Sequence, residues 1–139
     1  MSWQFYARLR PTGNPKAQPR VKAARFGAHA RVYTPPTADN WKLAVMSEAA
    51  PLAGRAIPGP LKVTMQFFLA RPKARHGEYF VSTKPDIDNL IKSTLDALTD
   101  QAVWRDDAVV VSIEASKEYE DESRPVGAVI EIYTWGVDA

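Results

Sequence analysis

Four aspartates and one lysine have the types and the spacing to do chemistry. The segment Lys84-Pro85-Asp86-Ile87-Asp88-Asn89-Leu90 carries two aspartates separated by one residue, and Asp106-Asp107 forms a second pair ahead of a hydrophobic run. Carboxylates held close together repel and raise one another's pKa unless a cation sits among them. Mg²⁺ suits such a site, because it takes carboxylate oxygens and keeps several waters for chemistry. Next to a phosphodiester backbone, that arrangement activates a water and stabilises the leaving oxygen. Lys92 follows Asp88 by four residues, so on a helix the two share a face. From there the lysine could orient the site or offset charge on a transferring phosphate, although an ordinary surface ion pair has the same spacing. The aspartates have structural uses too. Asp86 is a natural helix N-cap, Asp88 in a first turn favours the helix dipole, and Asp106-Asp107 could be a turn. Spacing alone leaves both readings open.

The composition removes most other chemistries. The chain has 139 residues, 45% of them hydrophobic, with fourteen aromatics and no cysteine. That length fits one domain with a real core, and the apolar fraction excludes a disordered chain. Without cysteine there is no disulfide framework, thiol nucleophile or thiolate zinc site. His29 and His76 stand apart and make no metal cluster, so a catalytic metal must be hard and oxygen-bound. No apolar run is long enough to span a membrane, and MSWQFYARLR lacks the apolar core of a signal peptide. The expected location is therefore cytoplasmic.

The net charge of +2 conceals a division. Residues 1–75 hold 13 Lys or Arg against Asp39 and Glu48, whereas residues 76–139 hold 5 basic and 14 acidic side chains. Such segregation suggests a surface for a polyanion and a separate acidic site, or two faces that pair with each other.

The elements that must position these groups follow from periodicity. Trp3, Phe5, Ala7 and Leu9 alternate as a first strand. Residues 11–36, rich in proline and basic side chains, read as one long loop of a length that is usually functional or mobile. A helix is expected over 38–49 with Thr37 as its cap. Residues 61–69 alternate cleanly as a strand, with Val63, Met65, Phe67 and Leu69 on one face. Residues 71–85 form a second basic loop. Ile87, Leu90, Ile91, Leu95 and Leu98 fall at helical spacing, so 87–99 is an amphipathic helix. Strands follow at 108–116 (Val109, Val111, Ile113 and Ala115 on one face) and 126–135 (Val126, Ala128, Ile130 and Ile132). The acidic run 118–122 between them reads as a solvated turn. This order indicates an α+β fold, a mixed β-sheet with two main helices packed on it.

The run KPDIDNLIKSTLDAL, followed after a short loop by VWRDDAVVVSIEASKEY, resembles the RusA family of Holliday-junction endodeoxyribonucleases. The resemblance begins upstream in GNPKAQPRVK and RVYTP and covers nearly the whole chain. It implies a single RusA-like domain over residues 1–139 that forms a homodimer. The implied activity is Mg²⁺-dependent (with Mn²⁺ as a substitute) resolution of four-way DNA junctions by paired symmetric nicks, leaving 5′-phosphate and 3′-hydroxyl ends. The positions matching the family's metal ligands are Asp86, Asp88 and Asp107, all expected from one protomer, and Lys92 matches its assisting lysine. Asp106 supports them, and Asn89 matches at a helix start. Lys16, Arg20, Lys73 and Arg75 are the expected phosphate contacts. Phe26, Tyr33 and Phe80 are placed to stack on bases or to pack, and Trp3, Phe68, Tyr79 and Phe80 are interface candidates. One departure is Val109, where the family often has glutamine. Such a protein would be bacterial or prophage-encoded. Two other readings share these residues: a non-catalytic nucleic-acid-binding dimer and a general branched-DNA nuclease.

Overall fold

The computed structural model describes residues 1–17, 22–26, 29–33 and 39–136, with backbone alone for 22–26, 29–33 and 39. Its elements are strands β1 (Ser2–Leu9), β2 (Lys22–Phe26) and β3 (His29–Tyr33), helix α1 (Asp39–Glu48), strand β4 (Leu61–Leu69), helix α2 (Ile87–Asp100), and strands β5 (Val110–Tyr119) and β6 (Gly127–Gly136). Among the described residues the strands form a four-stranded sheet in the order β1-β6-β4-β5 and a two-stranded ribbon, β2-β3. β5 runs parallel to β4, and β6 runs antiparallel to both β4 and β1. The sheet is therefore mixed, and α2 is the crossover that a parallel β4–β5 pair requires.

Burial explains the register. Leu61, Val63, Met65, Phe67 and Leu69 of β4, with Ala128, Ile130 and Ile132 of β6, turn one face of the sheet to the core. α2 buries Leu90, Ser93, Thr94, Ala97 and Leu98 against it. Two buried indoles lock the helices, because a buried Trp N–H needs an acceptor. Trp41 donates to Thr94 Oγ1 at 3.2 Å, joining α1 to α2, and Trp104 donates to Thr99 Oγ1 at 2.8 Å. Trp104 thereby anchors the chain two residues ahead of Asp106.

Five expectations change. Residues 11–36 are not one loop: β2 and β3 pair there from Lys22↔Tyr33 to Phe26↔His29. The last strand pair starts later than its alternation suggests, since Asp107–Val109 is a 3-10 turn capped by Asp106, whose carboxylate accepts from Ala108 N at 2.9 Å. Val111 and Ile113 are 62% and 38% exposed rather than core, because β5 lies at the sheet edge. The run 118–122 is not simply solvated, for Glu118 is 3% exposed. Phe68, an interface candidate, is buried beneath the Arg124 guanidinium. The proposed cap Thr37 lies outside the described residues.

Candidate functional site

The Asp86/Asp88 pair sits where β4 and β5 end. Asp86 occupies the N-cap position of α2 with extended backbone, yet its side chain makes no capping bond. It accepts instead from Lys84 Nζ at 2.7 Å. Both groups are exposed, so this pair adds little stability. Asp88 lies in the first turn of α2, where the helix dipole favours its charge, and its Oδ1 accepts from Asn89 N at 3.0 Å. The segment ahead of the pair is held by Lys117, whose Nζ donates to the Thr83 and Pro85 carbonyls at 2.8 Å each. Sequence reasoning passed over Lys117. Its signal was present: a lysine continuing the inward register Ile113, Ala115 at the mouth of the sheet.

The basic loops converge on this same end. Asn14 Oδ1 accepts from Ala70 N at 3.0 Å, tying the segment with the exposed Lys16 to the start of the 71–85 loop. Lys73 is exposed, and Arg75 is half-buried beside Glu78 at 3.3 Å. Arg71 folds this loop from within, donating to the carbonyls of Arg75, Glu78 and Glu120 and stacking on Tyr119. Arg124 supports the loop from the β5–β6 turn. It pairs with the buried Glu118 and with Asp121, and lies over the Tyr79 ring. Beside that guanidinium the Asp121 carboxyl is held well below the ordinary range, while the Glu118 hydrogen bond raises the Tyr79 hydroxyl. No pattern in the sequence marked Glu118 and Arg124 as partners. Arg20 lies outside the described residues, as do the side chains of Phe26, His29 and Tyr33.

Asp107 is elsewhere. It stands in the turn that opens β5, at the strand's opposite end from Lys117. Burial first, then the Asp106 carboxyl and the charge of Asp96, raise its pKa. Asp96 follows Asp88 by eight residues, about 12 Å along the axis of α2. Lys92, exposed, lies midway between Asp88 and Asp96 on the same helix face. The turn is packed closely: a Cβ on Gly59 would come within 2.7 Å of Val109 Cβ.

One protomer therefore does not bring Asp86, Asp88 and Asp107 together, which corrects the single-chain arrangement expected above. Among the described residues no three carboxylate or histidine side chains approach closely enough to hold a metal. The donor chemistry still suits Mg²⁺, because every candidate ligand is a hard carboxylate oxygen. The candidate ligands therefore lie at two ends of one chain. Among the described residues no helix is long and apolar enough to cross a membrane.

Comparison with known proteins identifies the family. The "Crossover junction endodeoxyribonuclease rusA" of Lactococcus phage r1t is 32% identical over 65 residues, covering 47% of this chain and 50% of that protein. The "Uncharacterized protein YqaN" of Bacillus subtilis (strain 168) is 28% identical over 124 residues, 81% of this chain and 87% of that protein. The aligned stretch thus spans half the length of the phage protein and most of YqaN. The family model for Endodeoxyribonuclease RusA matches residues 12–133, more than four-fifths of the sequence, and the chain belongs to that family.

Proposed function

We propose that this protein is a homodimeric, Mg²⁺-dependent endodeoxyribonuclease that resolves four-way DNA junctions by paired symmetric nicks. Family membership supports a nuclease-type role. The observation that carries the finer reading is the gathering, at one end of the sheet, of the Asp86/Asp88 pair with the loops bearing Lys16, Lys73 and Arg75. Exposed cations there would hold DNA through phosphates, with counterion release supplying affinity but no sequence choice. Mg²⁺, when bound, would supply polarisation of a scissile phosphate and a lowered pKa for an attacking water. Asp86 and Asp88 would hold it from one chain and Asp107 from a second copy, with Lys92 offsetting phosphate charge.

This division between chains follows from distance. Val110 and Lys117 are seven residue steps apart along the strand, about 23 Å. No side chain spans that gap, whereas a two-fold axis beside β5 exchanges its ends. Two such sites related by the axis also suit two symmetric cuts, which a monomer of roughly 14 Å radius of gyration could not reach.

The test is a labelled immobile four-way junction with Mg²⁺ or EDTA, beside Asp86→Asn. Symmetric nicks that require Mg²⁺ and vanish in the variant, with junction binding retained, are expected. Salt-sensitive binding without nicking under any divalent metal would instead establish a non-catalytic binding dimer. Equal cutting of four-way, Y-shaped and linear duplexes would establish a general branched-DNA nuclease.

A further inference from the structure

We infer that the Phe80 ring, backed by Tyr79, is a stacking platform for an unpaired base beside the branch point of a DNA junction, and so a determinant of branched over linear substrates. The inference deepens the junction-binding reading proposed above and rests on it.

The first support is how firmly the backbone is fixed here. Residues 79–81 run antiparallel along the outer side of β5, where Tyr119 N donates to Tyr79 O at 2.9 Å and Val81 N donates to Lys117 O at 3.0 Å. Those bonds frame Phe80 opposite Glu118. Residues paired in this way share a face. Phe80 therefore leaves the sheet edge on the side away from α2, while Val81 turns into the core.

The second support is the stack that ends at Phe80. The Arg124 guanidinium carbon lies 5.6 Å from the centre of the Phe68 ring and 4.4 Å from that of Tyr79. Arg124 is itself held by Glu118 and Asp121, and it donates to the Tyr79 hydroxyl. Phe80 packs edge-to-face on Tyr79, with ring centres 4.7 Å apart. Phe68 is buried, whereas Tyr79 is 51% and Phe80 63% exposed. The series thus runs outward from the sheet and finishes on a ring anchored from behind and open to solvent. Single exposed apolar side chains are ordinary, but two adjacent rings clamped in series form an ordered surface that loses little entropy on binding.

The third support is the surroundings, which select the ligand. Lys73 and Lys84 are exposed on the same loop, and Lys117 holds the Thr83 and Pro85 carbonyls a few residues further on, ahead of Asp86. A flat apolar ring among cations suits a group that is itself flat and tethered to phosphate, which is a nucleobase. In an intact duplex both faces of each base are covered by its neighbours. The ring can therefore stack only where strand exchange leaves a base uncovered. Phosphate contacts are the same on branched and linear DNA, so Phe80 adds affinity for the branch alone.

The experiment reads binding in EDTA, so it does not depend on cleavage. The wild type, Phe80→Ala, Phe80→Tyr and Phe80→Leu are titrated against a labelled immobile four-way junction and a linear duplex of the same arm sequence. Phe80→Ala should bind the junction about 5- to 150-fold more weakly, the loss of one base–ring stack, and should bind the duplex as the wild type does. Its salt slope should be unchanged, because no phosphate contact is removed. Phe80→Tyr should keep the junction affinity, whereas Phe80→Leu, apolar but not flat, should behave like Phe80→Ala. In junctions lacking one base beside the branch, one position should weaken the wild type yet leave Phe80→Ala no weaker than before, since ring and base are lost as one contact. The inference is overturned by a Phe80→Ala or Phe80→Leu that binds the junction like the wild type, by a Phe80→Tyr as weak as Phe80→Ala, or by equal weakening on junction and duplex. Losses that add at every position overturn it too, as does a smaller sedimenting mass for Phe80→Ala, which would place the ring against a second chain. A wild type that binds no junction overturns both readings. Nicking is scored separately with Mg²⁺: a protein that binds through Phe80 but never nicks keeps the platform and sinks the nuclease reading.

Discussion

Lys117 donates to the Pro85 carbonyl at 2.8 Å, immediately ahead of Asp86, while Asp107 stands ten residues before it at the far end of the same strand. β5 is thus a spacer that keeps two acidic pairs apart within one chain. The basic loops share the Asp86 end, so exposed cations gather around one acidic pair while the other stands at the far end of the strand.

If the ligand set is divided between chains, inactive variants should rescue each other. Asp86→Asn and Asp107→Asn should each abolish nicking alone. Mixed and reannealed, half the dimers are heterodimers with one intact site each, so about a quarter of the wild-type sites return. Nicking at background level in the mixture would mean that both aspartates serve the same chain's site.

Removing Arg124 strands a buried carboxylate. Glu118 is 3% exposed, and its remaining partners are neutral: the Ser116 hydroxyl at 2.6 Å, the Gln66 amide at 3.5 Å and the Tyr79 hydroxyl. Breaking such a pair from one side typically costs 3–5 kcal/mol. Arg124→Ala is expected to destabilise by about 3 kcal/mol in urea denaturation, whereas Arg124→Ala with Glu118→Gln should recover part of the loss. An effect of the single variant below about 1 kcal/mol would mean that Glu118 is not desolvated as described.

Asp107 destabilises the fold when ionised. Burial and its acidic neighbours raise its pKa, so the folded chain binds that proton more tightly than the unfolded chain does. The stability linked to this group is fully present below the ordinary Asp pKa and is lost as pH rises through the folded value. Asp107→Asn should therefore melt higher than the wild type at pH 7, and the advantage should vanish as pH falls below the ordinary Asp range. In metal-free buffer an unchanged Tm difference across that window would remove this account of Asp107, in which burial and its acidic neighbours disfavour the charge.

Lys73 is exposed on the basic loop, and neutralisation of a phosphate there should register in salt dependence. In Lys73→Ala the slope of log binding constant against log salt should fall in magnitude by about 0.9, the release of one phosphate's counterion. Lys42, paired with Asp100 at 2.8 Å, supplies a control. Its alanine variant should leave the slope unchanged.

Much of this protein was legible before any coordinates. The period of Leu61–Leu69 and of Ile87–Asp100 followed from side chains that need burial, and both elements stand within a residue of their expected bounds. The residue types of the site were equally plain, since an Asp-x-Asp at a helix start and a second Asp pair before a strand are local features. What required the tertiary structure was everything set by distance across the sheet. Periodicity says which face of β5 is apolar, but only its place at the sheet edge leaves Val111 and Ile113 exposed. Charge runs look solvated in a sequence, yet packing of Tyr79, Phe68 and Arg124 around Glu118 takes one carboxylate out of water. Sequence spacing placed Asp86, Asp88 and Asp107 within one stretch of chain. The parallel β4–β5 pair, which forces α2 to run the full length of the sheet between them, put Asp107 at the other end.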